Sequence, residues 1–326
     1  MEMMMKMKAE DFQKILRHHL YSFVRFSFNA LEGESNFDNN WHIELLCANL
    51  NDLDNGRQNR FIINLPPRSL KSFVTSICFP AWIFTRKPKQ NIIIISESQS
   101  LADDLSDNFN RLISSDRYRA FFPDLNFSQT NRGFSNNFGG SVKFLNIRSN
   151  FAGKGADIVI LDDPMNPSYA DKDDYRNDIK SIFKKNIYQR MNRNSGKIIV
   201  CMQRLHDEDL CGDLLEDKSW GSLVIPALFL HKETFTMPDK GKVSFSPWQS
   251  FHESRFPAEE LISVKDKIGG SDFKSQYLQC IYEEANNCQV IIPKDVDNDE
   301  WWNSDPLELR VKEFLYEGDL LILDEE

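Results

Sequence analysis

The sequence predicts an α/β fold, a mostly parallel sheet with helices on both faces. Three observations carry that expectation. Short apolar runs alternate with helical segments from Arg60 to Pro226, the order of elements that builds parallel sheets. The runs lack the alternate polar positions of half-exposed strands, which fits strands buried on both faces. The first of them, Phe61–Leu65, enters a tight loop that delivers Lys71 and Ser72 to the start of a helix, the layout of a phosphate-binding loop.

Taken in order, residues 1–56 read as an N-terminal helical segment. Phe12, Ile15, Leu16, His19 and Leu20 recur near helical spacing, as do Ile43, Leu46, Cys47 and Leu50, with a polar loop at Glu32–Asn40 between them. Residues 57–227 form the α/β core. Its predicted strands are Phe61–Leu65, Asn91–Ser96, Val142–Ile147, Ile158–Leu161, Ile198–Met202 and Leu223–Ile225, and its predicted helices Lys71–Phe84, Gln99–Ser114, Asp171–Met191 and Asp207–Leu215. Residues 228–285 read as a small lid or linker subdomain, loop-rich at 230–256 and helical from Pro257 to about Ile281. Residues 286–326 form a weakly patterned acidic tail.

Composition bounds the class of protein. The 326 residues are 41% hydrophobic, enough for one large or two modest cores. The net charge of −10 is concentrated at one end: from Gln289 onward there are 12 acidic and 3 basic residues, while the preceding 288 carry 37 and 36. A nearly neutral body leaves room for a local basic stripe. No apolar run reaches membrane-spanning length and Met1–Glu10 has no signal-peptide core, so a soluble chain without a membrane partner is expected. The six cysteines form no Cys-x-x-Cys pair, which points to reduced, packed thiols.

Two segments carry candidate chemistry. In Leu65-Pro66-Pro67-Arg68-Ser69-Leu70-Lys71-Ser72, both glycines of the usual G-x-x-x-x-G-K-[ST] pattern are replaced, by Leu65 and Leu70. Lys71 supplies a point charge for phosphates and Ser72 a hydroxyl for Mg²⁺. Pro66 and Pro67 donate no N–H, so Arg68, Ser69, Leu70, Lys71 and Ser72 would form the anion cradle, with Arg68 as a second cation. An ordinary strand–turn–helix with an exposed Lys-Ser is the competing reading of this segment by itself. The second segment, Ile158–Leu161 followed by Asp162-Asp163, places two carboxylates at a strand's C-terminal end, where open α/β sheets bind ligands. Asp162 would hold Mg²⁺, largely through water, and Asp163 would orient and deprotonate a water; a helix N-cap pair is the alternative. The pair lies 91 residues after Lys71, a separation that suits a nucleotide hydrolase with strands inserted between its two motifs. In a third segment, Gln203 and Arg204 end the strand Ile198–Met202. Gln203 is placed to sense a terminal phosphate, whereas Asp207, Glu208 and Asp209 read as first-turn helix stabilisers and His206 as a cap-region residue.

The motif order PPRSLKS, IIIISESQSLADDLS, FAGKGADIVILDDP and VCMQRLHDEDLCGDLL, continued by WGSLVIPA, RFPAEEL and IGGSDFKSQYLQ, resembles the large terminase subunit of tailed bacteriophages and prophages over about residues 40–282. The resemblance implies a P-loop NTPase of the ASCE/RecA-like kind, an ATP hydrolase using Mg²⁺ that drives double-stranded DNA into a procapsid. It implies a small terminase subunit and a portal protein as partners, a homo-oligomeric ring when assembled, and a location in the bacterial host cytoplasm and transiently at the procapsid. By motif match, Arg68, Lys71 and Ser72 become the phosphate loop, Asp162 the Mg²⁺ acid, Asp163 the catalytic carboxylate, and Gln203 part of the motif that couples hydrolysis to movement. Trp41 and His42 fall in the adenine-side segment, where a packed Trp in a helical subdomain is the competing reading. Ser96 and Ser98 match an S-x-S strand end, though capping of the next helix explains Ser98 equally well.

The departure lies at the C-terminus. Members of the family usually continue for about 150–250 residues, one domain's worth of chain, into a ribonuclease H-like nuclease. Here the expectation is a chain truncated before that domain, with Asp319, Asp324, Glu325, Glu326 and the short run Leu320–Leu323 too little for a nuclease site. Two other functions stay open: an inactive prophage remnant that binds nucleotide without packaging, and a helicase-like P-loop ATPase.

Overall fold

A computed structural model describes residues 8–32, 37–150, 155–190, 196–238 and 241–279. The acidic tail, Cys280, Cys288 and the first four residues of the FAGKG stretch lie outside the described residues.

Three helices open the chain: α1 (Ala9–His18), α2 (Leu20–Glu32) and α3 (Trp41–Asp54). The core follows as β1 (Arg60–Asn64), a π-helical segment Phe73–Cys78 that runs on into α4 (Phe79–Arg86), β2 (Asn91–Ser96), α5 (Gln99–Ser114), α6 (Asp116–Phe121), β3 (Phe127–Thr130), β4 (Gly133–Asn136), β5 (Ser141–Asn146), β6 (Ile158–Asp162), α7 (Asp173–Ile182), β7 (Lys197–Met202), α8 (Leu210–Leu215) and β8 (Gly221–Val224). Beyond it come β9 (Glu233–Thr236), β10 (Lys242–Phe245), α9 (Ala258–Ile268) and α10 (Gly270–Gln276).

Among the described residues eight strands form one sheet in the order β3-β4-β5-β2-β6-β7-β1-β8. The six from β5 to β8 are parallel, and β3 and β4 add an antiparallel edge. The predicted α/β class with a mostly parallel sheet is therefore what the chain adopts. One strand, β7, separates the carboxylate strand β6 from the loop strand β1. In chain order β2, β3, β4 and β5 lie between β1 and β6, which agrees with strands inserted between the two motifs.

The continuous apolar runs have a simple physical origin. Phe61 and Ile63 of β1, Ile92 and Ile94 of β2, Ile158 and Ile160 of β6, and Ile199 and Cys201 of β7 enter one core, shared with α1–α6. Their neighbours Ile62, Ile93, Ile95, Val159, Leu161, Ile198, Val200 and Met202 enter a second core with α7, α8 and Trp220. Side chains alternate across a strand, so a strand covered on both faces has no polar position to spare. Cys47, Cys78, Cys201 and Cys211 are buried free thiols, as composition suggested.

Several local expectations need correction. The stretch Phe127–Asn136, where the sequence predicts no element, forms the hairpin β3–β4, and the loop-rich 230–256 contains the antiparallel ribbon β9–β10. These strands are four residues long, with several exposed positions, and give no apolar run. The helix expected at Asp171–Met191 begins at Asp173 and passes at Phe183 into a π-helical turn and then a 3₁₀ turn, Tyr188–Arg190. The helix expected from Asp207 starts at Leu210, because the Asp209 side chain accepts from Gly212 N and ends the turn that precedes it. The helical stretch after Pro257 divides at Gly269 (φ +89°), where a left-handed residue stops α9.

Candidate functional site

The C-terminal ends of β1, β6 and β7 lie side by side and bring the two motifs together. The β1 strand holds its level through Asn64, whose side chain donates from Nδ2 to Met202 O at 2.9 Å. Residues 65–70 then turn the chain into the helix that starts at Lys71. The turn needs left-handed backbone at two residues, Arg68 (φ 62°) and Leu70 (φ 62°). Leu70 stands where the usual pattern has its second glycine. Left-handed geometry costs a residue with a Cβ about 1–2 kcal/mol, and such strain persists only where the surroundings over-determine it. Leu70 is tied in two ways: its side chain packs against the larger core, and its carbonyl accepts from Val74 N at 3.0 Å. The amides of Arg68, Ser69 and Leu70 donate to no backbone carbonyl among the described residues. Consecutive loop amides without partners at a helix start form an anion cradle.

Lys71 is buried and its Nζ lies 3.1 Å from Asp163 Oδ2. Burial works against its charge, but the Asp163 carboxylate, with smaller help from Cys201 and Asp162, outweighs it, and the ammonium is held above its ordinary value. Ser72 donates from Oγ to Asp162 Oδ1 at 2.8 Å. Asp162 is buried at the tip of β6, and burial, then the neighbouring Asp163 charge, push its carboxyl up to about 6 against the opposing pull of the Ser76 hydroxyl, Lys71 and Ser72. Asp163 begins the next turn in left-handed conformation (φ 44°), with its N–H donating to Cys201 O at 2.8 Å and its carbonyl accepting from Glu97 N at 3.2 Å. The backbone of Asp163 is thus clamped between β7 and β2 while its side chain, 37% exposed, faces Lys71.

Of the predicted site residues, Lys71, Ser72, Asp162 and Asp163 meet in one cluster. Ser69 and Leu70 form the loop beside it. Arg68 is exposed and bonds to none of the described residues, and Gln203 follows the tip of β7, half-buried and outside the cluster's hydrogen bonds. The residues around Gln203 behave as structure. Asp209 caps α8 and pairs with Arg204 at 3.0 Å, Glu208 pairs with Arg176 at 3.1 Å, and His206 Nδ1 accepts from Glu208 N at 3.1 Å. Ser98 caps α5 through Leu101 N, while the Ser96 hydroxyl is buried without a hydrogen bond.

The donor set suits a magnesium ion. Asp162 Oδ2 makes no well-formed hydrogen bond, although the buried Ser76 hydroxyl faces the carboxylate and favours its charge, and with Ser72 Oγ on the other oxygen the group has a lone pair to offer a cation. Among the described residues no three His, Cys, Asp or Glu side chains converge on a metal. One carboxylate and one hydroxyl fit Mg²⁺, which takes few protein ligands and fills its shell with water and phosphate oxygens.

Sequence reasoning did not anticipate the contact behind the loop. His42, at the start of α3, is buried and its Nε2 lies 3.0 Å from Ser69 O. Burial pushes its imidazole down to about 3. Trp41 takes the packed role: its indole donates to Phe251 O at 2.8 Å, and its ring lies 4.6 Å from Phe235 and 5.0 Å from Phe245.

Comparison with known proteins gives the geometry a context. Residues 62–185 match the family model described as the terminase large subunit, T4likevirus-type, N-terminal. No curated protein sequence matches the chain. Among solved structures, the large terminase of bacteriophage HK97 is similar with 12% identity and a TM-score of 0.50, over 80% of this chain and 54% of that one. The ATPase domain of the Thermus phage P74-26 large terminase has 14% identity and a TM-score of 0.43, over 77% of this chain and 95% of that one. A point mutant of that domain has the same identity and coverage and a TM-score of 0.45. The family match spans both the loop at residues 65–72 and the paired aspartates. It bears out the resemblance to the ATPase portion of a large terminase subunit.

Proposed function

We propose that the chain is the ATP-hydrolysing motor unit of a phage DNA-packaging terminase. The observation that carries this reading is the convergence of Lys71, Ser72, Asp162 and Asp163 at the tips of β1 and β6, within the stretch that matches the terminase family. The loop amides and the Lys71 ammonium would bind the nucleotide phosphates, with the exposed Arg68 as a second cation. Ser72 and Asp162 would hold Mg²⁺, which when bound neutralises developing phosphate charge. Asp163 would orient and deprotonate the attacking water. That role requires its ion pair with Lys71 to open as Lys71 turns to phosphate, the phosphate taking the carboxylate's place so that the buried ammonium is not left unpaired. Gln203, between these two strands, would read the terminal phosphate and pass the change to the turn that follows β7. Double-stranded DNA, a small terminase subunit, a portal protein and further copies of the chain are the partners this function requires.

The test is Mg²⁺-dependent ATP hydrolysis by the purified, folded chain, with and without double-stranded DNA. Lys71→Ala should abolish turnover while leaving the circular-dichroism spectrum unchanged. Absence of ATP binding by the intact folded protein would sink the proposal, and binding without hydrolysis would leave a nucleotide-binding remnant.

A further inference from the structure

Ser69 is the one residue between the two left-handed positions, Arg68 and Leu70. Its peptide orientation therefore decides whether the loop keeps its shape. The Ser69 hydroxyl is buried without a hydrogen bond, so the side chain does not anchor the turn. Its carbonyl does, through His42 Nε2 at 3.0 Å. A carbonyl oxygen only accepts, so Nε2 carries the proton and Nδ1 is the bare nitrogen. Nδ1 is buried and has no partner. The neutral state of the ring, with its ordinary basicity suppressed by burial, agrees with that tautomer.

The ring is itself held from behind. Its centroid lies 5.0 Å from that of Phe251, edge to face, and 5.8 Å from that of His252. Asn40 and Trp41 donate to the same Phe251 carbonyl at 3.1 and 2.8 Å. Asn40 is the N-cap residue of α3, yet its side chain makes no cap bond. An Asn at this position ordinarily caps its helix, and here the amide is directed instead to the segment that backs His42. Residues 40–42 thus join the phosphate loop to the chain that follows the sheet.

We propose that His42 is a positioning residue of the phosphate loop: its hydrogen bond to the Ser69 carbonyl holds the left-handed turns at Arg68 and Leu70, where other loops of this kind rely on glycine. The inference rests on residues 65–72 being the nucleotide loop. It predicts that His42 tunes nucleotide binding without touching the nucleotide.

The test uses the full chain with His42→Phe, which keeps an aromatic ring against Phe251 but loses the donor, His42→Gln, which keeps a donor at similar reach, and the double variant His42→Phe/Leu70→Gly. Two quantities are read: the Mg-ATP dissociation constant and amide hydrogen exchange of residues 66–72 without nucleotide. His42→Phe should weaken ATP binding about tenfold, the equivalent of one lost hydrogen bond, and speed exchange of the loop. His42→Gln should stay within about threefold of wild type, and adding Leu70→Gly to His42→Phe should recover most of the loss, because glycine removes the strain that His42 restrains. Unchanged binding and exchange in His42→Phe would overturn the inference, as would a loss that neither His42→Gln nor Leu70→Gly repairs. If wild type binds no ATP, the proposed function fails, and loop exchange alone then decides on His42.

Discussion

Two neighbouring strands of the sheet end in turns of opposite character. After β1, residues 65–70 place two non-glycine residues in left-handed conformation, leave loop amides without backbone acceptors, and lean on a histidine from another helix. After β7, residues 203–209 close on themselves. Arg204 pairs with Asp209 through Nε and donates to the carbonyls of His206 and Asp207, while Asp209 also accepts from Leu205 N and Gly212 N. Both turns are partly buried, and both connect a parallel strand to a helix. One satisfies its polar groups within itself and through Gln279 and Arg176, and the other holds its loop amides available. Local rules are broken where a ligand is to complete the structure, and kept where the fold needs rigidity.

The comparison breaks if the two turns respond alike to mutation. The largest effect is expected in turnover. On the proposed function, Asp163→Asn removes the water-orienting base and should lower ATP hydrolysis by about 10²–10⁴-fold. Stability should fall by less than in Arg204→Met, because the buried Lys71 loses its nearest carboxylate but keeps the attraction of Asp162, which is itself relieved of a like charge. The opposite signature belongs to the other turn. Arg204→Met leaves the fully buried Asp209 without its cation and should cost about 3–5 kcal/mol in urea unfolding. A stable Arg204→Met protein, or an unstable Asp163→Asn one, would erase the distinction between a working turn and a supporting one.

How much of this was legible in the sequence differs between the same two turns. The strands leading into them were visible because each position, as with Ile62 and Ile63 in β1, is buried against one of two cores. The paired chemistry of Lys71-Ser72 and Asp162-Asp163 was visible because residue type and strand-end position coincide. The backbone of the loop was not. Propensity argues against left-handed Arg and Leu, and the geometry is imposed by packing of Leu70 and by a hydrogen bond from a residue 27 positions upstream. The short strands β3, β4, β9 and β10 escaped notice for a related reason, since each is defined by its partner rather than by its own pattern. Asp209 looked like a dipole-stabilising acid, and only its contacts with Arg204 and Gly212 N show it to be the cap that delays α8.

Acid should distinguish the turns further. His42 is held neutral with its imidazole pushed down to about 3 from an ordinary 6.5, so below pH 6.5 the unfolded chain binds a proton that the folded chain refuses. Stability present above pH 6.5 is then lost as pH falls toward 3, by up to about 1.4 kcal/mol per pH unit. The surrounding charges do not cancel this. Asp38 favours a charged ring, Arg255 opposes it, and His252, itself lowered chiefly by burial, acts in the same direction as His42. Unfolding free energies measured from pH 7 to 5 should fall more steeply for wild type than for His42→Phe. Equal slopes would mean that the ring is not buried as a neutral donor.

The smallest effect concerns Leu70. Leu70→Gly would relieve left-handed strain worth about 1–2 kcal/mol but would expose a gap where the half-buried side chain meets the core, and glycine would also add freedom to the unfolded chain at a cost of about 0.5–1 kcal/mol. The terms oppose one another, so stability should change by no more than about 1 kcal/mol. Nucleotide affinity should be unchanged or tighter, since the loop amides keep their direction without strain. A loss of stability well above that range would show that Leu70 is retained chiefly as a core residue, with the left-handed turn as its consequence. A gain in both stability and affinity would show instead that the chain carries a strain it does not need for binding. That would leave turnover as the step for which a leucine at this position matters.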